Sequence, residues 1–477
     1  MKRSFSTLAV LVRHARASFG GPALLKGQSK RVALAALMLL LVLLVGASGY
    51  LRGAQPRTPQ GMAGGQLGNG PSGVSGNSGA PYDPPTERTL PNGGKTSSAV
   101  RHDVSAPLSS IKPIPPVPVA EREENGVENG LPPVVTNGYA QEEPTVQDFF
   151  GPLAMPAPER SIAGQYNYWG VSPPDTDGDV GPNHYVQMVN LGFQVYDKSG
   201  NVLYGPADSN TIWTGFGGQC ETQNAGDPIV LYDQLADRWL LSQFTSALDP
   251  PDPAIPVGTG PFYECIAIST TPDPTGSYYR YAFQVSEVNF EDYPHLGVWP
   301  DGYYMTANEF TGAAANTGAG VFAFEREKML VGQPADMIYF HLSLPYVGLL
   351  PSDLEGYTPP PANSPNFILG LERQTGTTAS PQLHMFKFDV LTWDPAPTGQ
   401  LNGPYVIPVQ PWDEDLCAVT REVCIPQPGT AQDLEAIADR LMHRLVYRNF
   451  GTHESLVANH TVDAGGGRAG IRWYEIR

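Results

Sequence analysis

Helical periodicity is almost absent from this chain of 477 residues. Only Leu434 to Met442 repeats apolar positions at helical spacing, and that window leads equally well into a strand. Signatures of common chemistries are missing too. There is no GxSxG elbow, no HExxH helix, no phosphate-binding loop and no dinucleotide fingerprint after a strand. No SxDxGxxW box of the sialidase kind occurs. Cysteine is scarce, with four residues and no CxxC pair, which argues against a zinc or dithiol centre. Basic residues are few, 29 Lys+Arg against 47 Asp+Glu. Eight of the 29 lie at or before Arg52, so the remainder carries 21 against 47, or 26 net negative charges. That balance excludes nucleic acid and anionic lipid as partners of this part, since both need basic patches.

The basic residues that are present sit at the start. Residues 1–31 contain Lys2, Arg3, Arg13, Arg16, Lys26, Lys30 and Arg31 and no acid, and residues 32–51 carry no charge. A run of this length just spans a bilayer with its basic flank inside, which reads as a transmembrane signal-anchor. The small residues Val45-Gly46-Ala47 read equally well as a signal-peptide cleavage site. Both readings place the rest of the chain in the cell envelope or outside the cell, with membrane contact through residues 32–51 where the segment is retained. Four exported cysteines then imply disulfides. Of the three pairings, Cys220–Cys265 with Cys417–Cys424 keeps each bridge within one hairpin group or loop. Residues 52–160 are rich in Gly, Pro and Ser and poor in periodic apolar positions, the composition of a disordered linker.

From residue 161 to 477 the character is all-β. Short alternating runs are punctuated by turns every eight to twelve residues. One unit recurs visibly: Asp227-PIVLYDQLADRWLLSQF and Asp292-YPHLGVWPDGYYMTANEF. A single hairpin cannot bury its own apolar face, so repeated hairpins predict radial repetition. Further unit starts fall at Asp179, Asp353 and Asp433. The expectation is a β-propeller of five or six blades, five on this count, behaving as a monomer.

DPIVLYDQLADRWLLSQF, AISTTPDPTGSYYRYAF, DYPHLGVWPDGYYMTANEF and DRLMHRLVYRNFGTHESLV resemble motifs of a group of exported bacterial proteins. The resemblance covers nearly all of residues 161–477. It implies a propeller-like fold and an external location, and it brings no established catalytic residues. In architecture the expected fold also resembles the five-bladed glycoside hydrolases.

An aspartate at the head of each inner strand would ring the axis with carboxylates. Such a ring needs a cation, raised pKa values or other partners. Ca2+ is one candidate cofactor, with Asp175, Asp177 and Asp179 as candidate ligands in a DTDGD loop, although Val186 stands where an EF-hand needs its closing Glu. The other account of each Asp is a turn cap that satisfies backbone N–H groups. Glycoside cleavage would need two carboxylates, for which Asp227, Asp292, Glu309 and Glu372 are the candidate catalytic residues. Candidate ligand-binding residues are Asp353, Asp433, His184, His295, Trp299 and Tyr303, with Trp239 as a further aromatic. The two histidines are read at comparable places on inner strands. The favoured role is binding or adhesion to a glycan or protein ligand, and the alternative is a glycoside hydrolase-like enzyme.

Overall fold

A computed structural model describes residues 82–118, 122–123, 156–246, 260–311, 315–372, 381–412, 423–465 and 468–477. All of them belong to the compact unit Val74–Arg477. The segments 1–31 and 32–51 lie outside the described residues, as does Cys417. Among the described residues no helix is long and apolar enough to cross a membrane.

The architecture is all-β, built from successive antiparallel sheets with only very short helices. The first sheet has four strands, Asp177–Val180, His184–Val189, Gly192–Asp197 and Val202–Asp208. The second runs Gly226–Asp233, Arg238–Phe244, Phe262–Ser269 and Tyr278–Ser286. The third runs Asn289–Trp299, Gly302–Thr311, Ala315–Phe324 and Asp336–Ser343. A seven-stranded sheet then joins a fourth group, Leu350–Leu354 to Thr398–Pro408, to a fifth, Met442–Asn449 to Ala469–Ile476. The two groups meet through one parallel pairing, Ser352 with Leu445 and Leu354 with Tyr447.

Apolar runs such as Ile229-Val230-Leu231 are continuous rather than alternating because the second sheet is covered on both faces. Val230, Leu241, Cys265 and Ala267 pack with Val186, Phe193 and Val195 of the first sheet. Leu231, Leu240, Ile266 and Ile268 pack with Leu296, Met305 and Phe322 of the third. Trp299, Tyr304 and Ile338 of the third sheet share a core with Leu350, Leu369 and Met385, and with Leu445 and Ala458. Each sheet therefore buries itself against its neighbour. Cys220–Cys265 forms as expected and ties the lead-in of the second sheet to its third strand. Cys424 is also disulfide-bonded.

The linker expected over residues 52–160 does not hold for its middle. Lys95–Ser98 pairs with the outer strand of the third sheet, and Arg101–Val104 pairs with that of the second. Farther on, the Asp208 N–H donates to the Ile114 carbonyl at 2.9 Å, at the outer strand of the first sheet. Leu90, Val100 and Leu108 are buried in the cores beneath. This belt escapes composition-based reading because it borrows the edges and cores of other strands and needs no periodicity of its own.

Two starts also differ from expectation. Asp433 precedes only the two-residue strand Leu434–Glu435, and the fifth inner strand begins at Met442. In the first sheet the short polar strand Asp177–Val180 takes the inner place, so His184 opens a second strand while His295 lies on an inner one. The two histidines are not equivalent.

Candidate functional site

A residue with left-handed backbone lies just before, at the start of or, for Tyr293, at a bulge within each inner strand: Asp175, Asp227, Tyr293, Gly348 and Ile437, with φ of 35°, 42°, 56°, 57° and 40°. Only Gly348 holds that conformation without a Cβ penalty. The others need outside support, and asparagine supplies part of it. Asn190, ending the second strand of the first sheet, accepts the Asp227 N–H at 2.9 Å and donates to Asp175 at 2.8 Å. Asn308, on the second strand of the third sheet, accepts the Gly348 N–H at 2.8 Å.

The aspartates act between strands. Asp177 and Asp179 accept the N–H groups of Val230 and Tyr232 at 2.9 and 2.8 Å, from first inner strand to second. Asp227 accepts the Tyr293 N–H at 3.0 Å, from second to third. Asp353 accepts the Val298 N–H at 2.8 Å, from fourth to third. These inner-strand amides find their acceptors in neighbouring sheets because no ladder partner lies on that side.

Arg444 of the fifth inner strand closes the charge balance. Its Nη1 lies 2.7 Å from Asp353 and 3.7 Å from Asp179, and Nη2 lies 2.9 Å from Glu355. Burial pushes Asp353 up to about 7, with Arg444 and the Val298 N–H pulling the other way. Burial likewise raises Asp177 to about 6. Among the described residues, no group of three or more His, Cys, Asp or Glu is arranged to hold a metal ion. Asp175, Asp177 and Asp179 answer to an amide side chain and two peptide groups, so the expected Ca2+ loop does not fit this arrangement.

Beside Asp227 and Tyr293 lies a second group. The Tyr293 ring meets His295 edge-on at 4.3 Å, and His295 stacks on His443 at 5.0 Å. Arg440, held bidentately by Asp439, covers the Tyr293 ring at 5.1 Å. Burial drives His295 well below its ordinary value, with His443 and Arg440 adding to the fall. Burial lowers His443 to about 4, with Arg444 second. Both rings are neutral at pH 7. This cluster joins the second, third and fifth inner strands, and it is the candidate site.

The remaining expected residues fall elsewhere. Trp299 and Tyr303 are 1% and 0% exposed, so neither offers a face to a sugar. The Trp299 indole donates to Ser364, and the Tyr303 hydroxyl donates to Asp233, which also binds Arg326. Trp239 is equally buried and donates to Pro272. Their size suits packing between sheets. Glu309 is fully buried under Tyr339 and His341. Glu372 sits 3.3 Å from His384 in the fourth group, and His184 lies 4.0 Å from Asp273. Asp292 is buried, across from Asn308.

Sequence reasoning missed Asn190, Asn308, Arg440, His443 and Arg444. A signal existed in part: MVN at the end of one second strand and TAN within another each place an asparagine after two less polar residues. It also missed Glu264 and Glu291, two buried glutamates in otherwise ordinary strands.

No protein-family model matches the chain, and no characterised protein matches it by sequence. Solved structures that overlap with it include two arabinanases. An exo-1,5-alpha-L-arabinanase from a bovine ruminal metagenomic library is 9% identical, covering 64% of this chain and 92% of its own, at a TM-score of 0.25. A mutant α-L-arabinanase of Cellvibrio cellulosa is 10% identical, covering 63% and 90%, at 0.26. Scores this low decide neither fold nor activity.

Proposed function

We propose that the chain is a five-bladed propeller, exported through residues 32–51, that binds a neutral glycan at the Tyr293–His295–His443 end of its inner strands. Ring closure is supported by Arg444, whose guanidinium reaches both the fourth and the first inner strands. The observation that carries binding over catalysis is the engagement of the expected acids. Asp177, Asp179, Asp227 and Asp353 each accept a backbone N–H from another inner strand. Glu309 and Glu372 answer to histidines. A paired-carboxylate hydrolase needs two acids placed to reach its substrate. Half-buried Tyr293 and His443 suit hydroxyl recognition instead, with the buried His295 ring behind them.

One observation favours the enzyme as second reading. Burial pushes Glu264 up to about 8, opposed by the Ser242 hydroxyl and reinforced by Asp227. A carboxyl whose value is raised beside a second acid is one half of what general acid and base catalysis requires. Screening on a glycan array, paired with release assays on plant and bacterial polysaccharides, separates the readings. Binding without release supports the proposal. Release abolished by Glu264→Gln or Asp227→Asn, in variants that remain folded, overturns it.

A further inference from the structure

We propose that Glu264, Glu291 and Glu309 form a proton-operated latch on the seam between the second and third sheets. Glu291 lies directly across from Glu309 in the antiparallel pair of Asn289–Trp299 with Gly302–Thr311. Glu309 is saturated: Tyr339 donates to Oε1 at 2.6 Å, and His341 Nδ1 lies 2.5 Å from Oε2. Glu291 is 2% exposed, and neither of its carboxyl oxygens has a hydrogen-bond partner among the described residues. Glu264, 1% exposed on the second sheet, has one oxygen in the same state.

An ionised Glu291 would face desolvation and a like charge on the opposite strand, and a proton relieves both. Burial raises Glu291 well above the ordinary carboxylate range, with Glu309 second and Glu264 a smaller contributor. The titratable groups facing the cluster are Asp227 beside Glu264, and Tyr339 and His341 of Asp336–Ser343 beside Glu309. His341 is the one cation-forming group among them. The Glu309 hydrogen bond raises His341, which favours the charged imidazole at this position. The His341 side chain is 37% exposed, which gives the buried cluster one end at the surface. The seam beside it is made of aromatic contacts, Phe244 and Phe262 against Phe290.

A raised folded-state value means that stability is fully present below the unfolded value and is lost as pH rises through the folded one. The latch is therefore fully shut in acid and loosens progressively as pH rises. Two measurements on the full chain test it: the infrared carbonyl band of protonated carboxylic acids near neutral pH, and amide hydrogen exchange of residues 289–299, corrected for intrinsic rates, at rising pH. The expected result is a band diminished by Glu291→Gln, and protection that falls at least roughly tenfold in the wild type but stays flat in that variant. Should Glu291→Gln not fold, Glu309→Gln removes the opposing charge, lowers Glu291 and shrinks the alkaline loss of protection. Parallel loss of protection in wild type and Glu291→Gln, an unchanged opening in Glu309→Gln, or an ionised Glu291 held by added Ca2+ would each overturn the latch.

Discussion

Asn190 accepts the backbone N–H of Asp227 at 2.9 Å across the boundary between the first and second sheets. The same side chain donates to Asp175, so one amide supports two left-handed residues. Asn190→Ala leaves a buried peptide N–H without this acceptor, which costs about 1–3 kcal/mol. Asn308→Ala should cost a similar amount through Gly348. Thermal unfolding measures both. Asn190→Asp keeps an acceptor but faces Asp175, and Asn308→Asp likewise faces buried Asp292, so both should destabilise.

The belt sets a minimal folding unit. A chain starting at Ser161 loses Leu90, Val100 and Leu108 from the cores, each worth roughly 1.5–3 kcal/mol when fully buried. It also bares the outer edges of the second and third sheets. Such a chain should unfold at lower temperature or aggregate, whereas one starting at Val74 should match the full chain. Expression and melting of the two chains decide it.

Reduction of the Cys220–Cys265 bridge, which closes a separation of 45 residues, should cost about 4 kcal/mol on chain-entropy grounds. Cys220→Ser with Cys265→Ser should reproduce that loss, read from the denaturant midpoint and slope together.

Acid should loosen the Tyr293–His295–His443 cluster. Burial lowers His443 to about 4 and drives His295 well down. A lowered folded-state value contributes stability present above the unfolded value near 6.5 and lost as pH falls toward the folded one. Through His443 alone the loss is on the order of 3 kcal/mol between pH 6.5 and 4. His443→Gln should flatten this limb of a stability–pH curve, and an unchanged limb would show that the stacked pair is not responsible.

Much of the frame was legible because it is written in hairpins. PIVLYD…RWLLSQF and HLGVW…YYMTANEF announce paired strands, and four of the five expected aspartates do lie in inner strands. Their role was legible only as a choice between turn cap and ring ligand, since a sequence does not say whose N–H a carboxylate meets. Asp433 misled because acids are common in turns. Glu264 and Glu291 stayed hidden because a glutamate in FYECIAIS or NFEDYP looks the same whether it faces water or a closed seam. The belt stayed hidden because strands of two to four residues carry no period.

The measurement closest to the central claim is the unfolding midpoint of Asp353→Ala, read together with ligand binding and polysaccharide release. Asp353 carries both the Val298 N–H and Arg444, so its removal should cost about 3–5 kcal/mol and lower the midpoint by several degrees. A midpoint within about a degree of wild type, with polysaccharide release abolished, would contradict the assignment of the axial acids to structure.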